Sequence, residues 1–278
     1  MGAVLMTLNE LRYGMLKWFL LAALVAVFVL PLLGFSKDEE GYTILGFRET
    51  HLSVRTSDGL ISGLNLGTLY PCVCVSIGCS FMVLVLVSWI SARVFMTLLT
   101  PGSAEFFLTR GTGRLTLMGW RFAVVLLCGC FYVFLLGLVA VCGTGISLNE
   151  VSFAFLKSVF LCFFIYLSVM GATLLIAVIS RRTGLSVGLG AALILASIIF
   201  DTAYQAMQHG FLRGQRESLA YKVMAAVHAI LPNVTTLSNA AISCCGGTRL
   251  PWYEIGTTAA FGAATVAAAL AIFRFRDL

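Results

Sequence analysis

Six apolar runs, nearly or wholly free of charge and close to the length of a bilayer crossing, constrain this chain more than any other feature. A hydrocarbon core of roughly 30 Å takes about 20 helical residues. The runs fall at about 16–34, 70–90, 122–141, 159–179, 185–200 and 255–273, the fifth being short and glycine-rich. Two sizeable polar connections, 35–69 and 201–254, separate them. With 60% hydrophobic and 11% charged residues, water is not the main solvent of such a fold. The expected architecture is an all-α integral membrane protein of six transmembrane helices. No repeat period or low-complexity linker divides it, so residues 1–278 read as a single domain.

Arg12 and Lys17 precede the first run, as basic residues precede the apolar part of a secretory signal. The chain after Leu33 reads Gly34-Phe35-Ser36-Lys37, without a small-x-small cleavage site, and five more runs follow. The first run therefore reads as an anchor.

The 18 basic residues form no tract, which argues against a nucleic-acid partner; their placement reports topology. With the N-terminus inside, one side carries Arg12, Lys17, Arg93, Arg110, Arg114, Arg121, Arg181, Arg182, Arg274 and Arg276 with three acids, net +7. The other side keeps eight basic residues and nine acids, net −1. Positive charge in short loops sets orientation, so both termini are expected in the cytoplasm. Arg181-Arg182 is the clearest marker.

Six of the nine cysteines (Cys72, Cys74, Cys79, Cys128, Cys130, Cys162) fall within the runs, where a thiol behaves as a small apolar side chain. Cys142, Cys244 and Cys245 fall on the outer side, where an oxidising compartment leaves a disulfide from Cys142 to one of the pair open. Cys72-Val73-Cys74 offers two soft ligands, but no histidine or carboxylate nearby completes a metal set.

Three connecting segments are organised. Val4, Leu5, Leu8, Leu11 and Met15 recur at helical spacing opposite Thr7, Glu10 and Lys17, which predicts an amphipathic helix at the inner surface or an extension of the first span. Between spans two and three, Pro101-Gly102 breaks the chain and Ser103 caps a short helix with Glu105 in its first turn. Gly111-Thr112-Gly113 ends it, leaving Glu105, Arg110 and Arg114 on a cytoplasmic element. In the outer connection, 219–231 reads as helix, with Leu219, Val223, Ala226 and Ile230 on one side and Pro232-Asn233 as its stop. Gly184, Gly188 and Ala192 in the fifth span, and Gly262 with its neighbouring alanines in the sixth, predict close helix packing.

Catalytic patterns are poor. None of the four lysines follows a glycine, so no phosphate loop of the Gly-Lys-Ser/Thr kind exists. Gly184-Leu185-Ser186-Val187-Gly188 matches a nucleophile elbow, but it opens a membrane helix without a preceding strand, far from His51, His209 and His228. There is no HExxH helix. From Trp18 on, the spans as delimited contain no Asp, Glu, His, Lys or Arg, which disfavours a proton or ion relay.

The arrangement resembles the ABC-2-type permeases along essentially the whole chain. Glu105-Phe106-Phe107-Leu108-Thr109-Arg110-Gly111-Thr112-Gly113-Arg114 is similar to the family's inside loop, with Gly111 where members carry proline. Ala229-Ile230-Leu231-Pro232-Asn233 resembles the outer segment before the last span. Phe273-Arg274-Phe275-Arg276-Asp277-Leu278 resembles the F-x-R-x-D-L tail.

The resemblance implies a type V exporter fold with an N-terminal amphipathic helix, a cytoplasmic coupling helix and an outer re-entrant element. It implies a second permease copy or a related permease, a route lined by spans two and five, and a separate ABC ATPase subunit. ATP and magnesium would be bound by that partner, and this chain carries no cofactor and is no enzyme by itself. Glu105, Arg110 and Arg114 become the ATPase-facing residues. The implied location is the cell membrane, multi-pass and prokaryotic, with lipid all round and an extracytoplasmic partner open. The alternatives are a membrane anchor or assembly subunit without transport, and an intramembrane hydrolase using Ser186.

Overall fold

A computed structural model describes residues 16–38, 41–44, 47–49, 53–56, 59–62, 65–83, 93–97, 113–209, 219–247 and 249–275. With no water in hydrocarbon to satisfy the backbone, apolar sequence closes its own hydrogen bonds, and the apolar runs are helical wherever they are described. In chain order the elements are α1 (Leu16–Gly34), β1 (Phe35–Asp38), β2 (Gly41–Ile44), β3 (Phe47–Glu49), β4 (Ser53–Thr56) and β5 (Gly59–Ser62). There follow α2 (Leu66–Phe81), α3 (Arg114–Leu148), α4 (Phe155–Ser180), α5 (Thr183–His209), α6 (Leu219–Ile230), α7 (Val234–Ser243) and α8 (Trp252–Phe275). Among the described residues α3, α4, α5 and α8 are long and apolar enough to cross a membrane, and α1 and α2 are shorter apolar helices. This is the make-up of a helical membrane protein.

The first polar connection departs from the all-α expectation. β1, β2 and β3 form an antiparallel meander, with Phe35 opposite Ile44 and Ile44 opposite Phe47, and β4 pairs with β5 as a separate hairpin.

Two helices outrun their apolar runs, and this overturns the expectation that the spans hold no Asp, Glu, His, Lys or Arg. α3 begins before Phe122 and takes in Arg121; α5 continues past Phe200 through Asp201 to His209. A charge-free run gives only the minimum length of a helix. The helix continues wherever a polar side chain finds partners inside the protein, and both residues do. At 35 residues, α3 is about 52 Å long. Asn149 ends it in the left-handed conformation, φ 55°, which asparagine tolerates better than most residues.

α4 is the centre of the bundle, packed by α2, α3, α5, α7 and α8. It meets α8 backbone to backbone where Gly171 faces Gly262: a Cβ on Gly171 would lie 2.9 Å from the Gly262 carbonyl, and one on Gly262 would lie 3.0 Å from the Ser168 amide. The small residues of the last span are thus used as expected. Those of the fifth are not. Gly184 and Gly188 have nothing within 4 Å of a built Cβ, and Ala192 is exposed.

α1 carries Pro31 inside the helix. Proline has no amide to give the carbonyl four residues back, which leaves Val27 short of a donor. Tyr70 of α2 supplies one, its hydroxyl donating to that carbonyl at 2.9 Å.

Candidate functional site

Glu105 and Arg110, and the amphipathic N-terminal segment, lie outside the described residues. Arg114 is the first residue of α3, with Gly113 at the N-cap. Two turns further on, Arg121 is 1% exposed and donates from Nη1 to the Val94 carbonyl (3.0 Å) and the Thr97 hydroxyl (2.6 Å). Thr97 in turn donates to Val94 (2.8 Å), and Phe95 stacks on Phe122. Arg121 therefore ties the helical stretch 93–97 to the start of α3, clamping together the two flanks of the segment that contains Glu105 and Arg110. Counted in the sequence only as a topological charge, it is buried and structural.

Among the described residues, a dense polar cluster lies at the other end of the bundle, around the break between α6 and α7. The break falls where Pro232-Asn233 predicts it. Asn233 makes no side-chain cap to its own helix. Its Nδ2 donates to Thr257 (3.0 Å) and its backbone amide to the Thr258 hydroxyl (3.1 Å), both on α8, while Ser197 of α5 donates to the Pro232 carbonyl.

The missing cap comes from another helix. Asp201 of α5 accepts the Thr236 amide on Oδ2 (2.7 Å), and on Oδ1 accepts the Thr236 hydroxyl (2.7 Å) and pairs with His228 Nε2 of α6 (3.1 Å). A carboxylate at a helix N-terminus satisfies orphan amides and complements the helix dipole. Gln205, one turn further along α5, donates to Thr236 (2.7 Å), and the Tyr204 ring covers the His228 imidazole at 4.2 Å between centroids. Asp201 is 2% exposed. One carboxylate thus joins α5, α6 and α7.

The break is also deep. Ser197 is 12 residues before His209, and Thr258 is 6 residues after Trp252. At 1.5 Å per residue these place it roughly 18 Å and 9 Å below the ends of α5 and α8. α7 then climbs beside α2 and α4: the Ser238 hydroxyl meets those of Ser76 (2.8 Å) and Ser80 (3.0 Å), and Ser158 donates to Ala241 (2.5 Å).

A third cluster lies on the same end. Glu150, just after α3, pairs with Lys37 (2.5 Å) and accepts from Tyr42 (2.8 Å) and the Gly67 amide (3.0 Å). Burial pushes the Glu150 carboxyl up, but the Lys37, Tyr42 and Gly67 donors outweigh it and hold its pKa below the ordinary carboxylate range. The hydrogen bond to Glu150 raises Lys37 above the ordinary lysine range. The contacts of Lys37, Tyr42 and Gly67 with Glu150 put the connections after α1 and after α3 on one side of the bundle.

Ser186, the candidate nucleophile, is fully buried, donates to the Arg182 carbonyl (2.9 Å) and meets the Ser180 hydroxyl (3.0 Å). Asp201, with His228 of α6 against it, sits 15 residues further along α5, about 22 Å away along the helix axis. These groups form no triad. All nine cysteines are free thiols, with Cys142 exposed and Cys244 buried, so no disulfide joins them.

Neither family models, curated proteins nor solved structures yield a match to this chain.

Proposed function

We propose that this chain is the membrane permease subunit of an ABC exporter, crossing the cell membrane of a prokaryote six times, with α1 and α2 as the two shorter spans. Its translocation path forms against a second copy or a related permease. A separate ATPase subunit drives it from the inside, through the segment bearing Glu105, Arg110 and Arg114. ATP and magnesium belong to that partner.

One observation carries the reading: a broken helix pair, α6–α7, seated below the outer ends of α5 and α8 immediately before the last span. A re-entrant element at that point of the chain is what the resemblance implies. Two further features support it. Arg121 fastens the flanks of the inside segment to the bundle, so a push on that segment reaches α3 directly. The small face of α5 is left exposed, which suits close packing by another helix. ATP binding can shift the pair of permeases between states only through different contacts with each.

The test is affinity purification of the tagged full chain in mild detergent, with mass spectrometry and ATP-hydrolysis assay of what accompanies it. The expected result is a stoichiometric ATPase that is lost on combining Glu105→Lys with Arg110→Glu, the variant keeping its elution profile. A chain that purifies without any nucleotide-binding partner under several extraction conditions sinks the exporter reading and leaves an anchor without transport.

A further inference from the structure

α5 carries no basic residue from Thr183 to Gln208 and α7 carries none at all, yet Asp201 is buried where they meet. Its hydrogen bonds fix its charge. The Thr236 amide, a donor in every state, lies 2.7 Å from Oδ2. On Oδ1 converge the Thr236 hydroxyl (2.7 Å), His228 Nε2 (3.1 Å) and the Gln205 amide nitrogen (3.4 Å). That nitrogen also donates to the Thr236 hydroxyl oxygen at 2.7 Å, which turns the hydroxyl proton toward Asp201. Both oxygens are met by donors, so a proton on Asp201 itself would have no acceptor. Asp201 is a carboxylate.

A carboxylate shut away from water needs a positive charge beside it. α4, packed on α5, has no charged side chain between Lys157 and Arg181. Its Cys162 and Tyr166 are neutral below about pH 8. α8, packed on α6, carries Tyr253 and Glu254 in its first turn and no further charge before Arg274. His209 ends α5 eight residues beyond Asp201, about 12 Å along the axis. On α6 Lys222 is exposed and Tyr221 lies against Tyr204. The remaining group is His228, and among the described residues Asp201 and His228 form an ion pair only with each other. The imidazole is 7% exposed, and the Tyr204 ring covers it. An aromatic face attracts a cation.

We infer that Asp201 and His228 form a proton-operated latch on the α6–α7 element: a doubly protonated His228 fastens the element to α5, and loss of that proton releases it. The inference requires only that the pair stays buried and is independent of the ATPase.

With the proton in place the pair is neutral. Without it His228 still offers a hydrogen bond, but the site holds an uncompensated negative charge away from water, and a buried charge without its partner is costly. Asp201 regains water only by parting from Thr236 of α7 and His228 of α6, so both halves of the element are let go together. Histidine is the side chain whose charge ordinarily changes between about pH 5 and 8. The fastened state binds one proton more than the released state. Rising pH therefore favours release, and falling pH favours fastening.

The test is hydrogen exchange, mapped by mass spectrometry, on the full chain in lipid nanodiscs from about pH 5.5 to about pH 8.5, with labelling times scaled for the intrinsic pH dependence of amide exchange. Protection over 219–243 is expected to fall at least about tenfold across this range, since one proton permits up to about tenfold per pH unit, while 155–180 keeps its protection. His228→Gln keeps an amide donor but takes no charge, and should show the weak, high-pH protection throughout. His209→Gln and Glu254→Gln should keep the wild-type slope. A flat wild-type profile overturns the inference whichever variants fold, as does an equal fall over 155–180. A slope that survives His228→Gln overturns it too, by assigning the proton to another group.

Discussion

α4 and α5 are consecutive helices of 26 and 27 residues joined by the turn at Arg181-Arg182, and both are apolar enough to span a membrane. Yet 61% of the apolar window of α4 is buried in the bundle, against 22% of that of α5. Lipid solvates an apolar surface as well as a neighbouring helix does, so apolarity places a helix in the membrane without choosing its neighbours. Contact requires small residues that let backbones approach, or hydrogen bonds. α4 uses the first device, laying Gly171 on Gly262 of α8. α5 carries the same kind of stripe in Gly184, Gly188 and Ala192 but turns it outward, and is fastened by Ser197, Asp201 and Gln205 to the α6–α7 element. One helix is held by shape and the other by polar bonds.

This contrast breaks most sharply at Asp201. Replacing it with alanine strands the buried donors of Thr236 and His228, and the expected loss is about 3 kcal/mol. Hydrogen exchange should rise across 219–243 while α4 keeps its protection. Asp201→Asn retains an acceptor oxygen and should lose about 1 kcal/mol. Equal deprotection of α4 and α6–α7 would show that α5 is not held locally.

The shape-based contact is tested by a matched pair. Gly171→Val drives a methyl into the Gly262 carbonyl, and overpacking of that kind costs about 2 kcal/mol. Gly188→Val enters open space and should change stability by less than about 0.5 kcal/mol. Thermal midpoints in one detergent compare them. If Gly188→Val unfolds the isolated chain as readily as Gly171→Val, the outward stripe is packed after all. If it leaves the isolated chain intact but separates two copies, the stripe is a subunit contact.

The smallest effect is expected at Glu150. Removing its charge with Glu150→Gln weakens the bonds from Lys37, Tyr42 and Gly67 by about 1 kcal/mol in sum. Its folded pKa is depressed, so its stabilisation is complete above the ordinary carboxylate pKa and disappears as pH falls through the lower folded value. That of Lys37, whose pKa is raised, is complete below the ordinary lysine range and disappears as pH rises through the higher folded value. Exchange of the amides in Phe35–Ile44 should therefore accelerate at both extremes, in the wild type more than in Glu150→Gln. A wild-type profile flat at low pH would remove the charge from the account.

Parts of this architecture are written locally. The apolar runs, the helix before Pro232-Asn233 and the break itself depend on the 3.6-residue period, on proline and on the capacity of asparagine to leave the helix. The candidate site was less legible, because charges next to apolar runs look alike whether solvated or buried. Arg121 and Asp201 each stand one residue outside an apolar run, the usual place for interfacial charges. A trace of Asp201 was there in the spacing: Ser197, Asp201 and Gln205 recur every four residues, which lays them on one helical face. Nothing comparable marks Arg121, whose partners are a carbonyl and a hydroxyl some 24 to 27 residues away.

By itself the sequence determined that the chain enters a membrane as helices, about where those helices run, and where the helix before Pro232-Asn233 must break, since hydropathy, helical period and proline act within a few residues of themselves. Only the tertiary structure decided that Gly171 rather than Gly188 makes a helix crossing and that Asp201 caps a helix to which it does not belong. In lipid the choice of neighbour rests on a few close contacts and hydrogen bonds between residues distant in the chain, and those exist only once the helices have met.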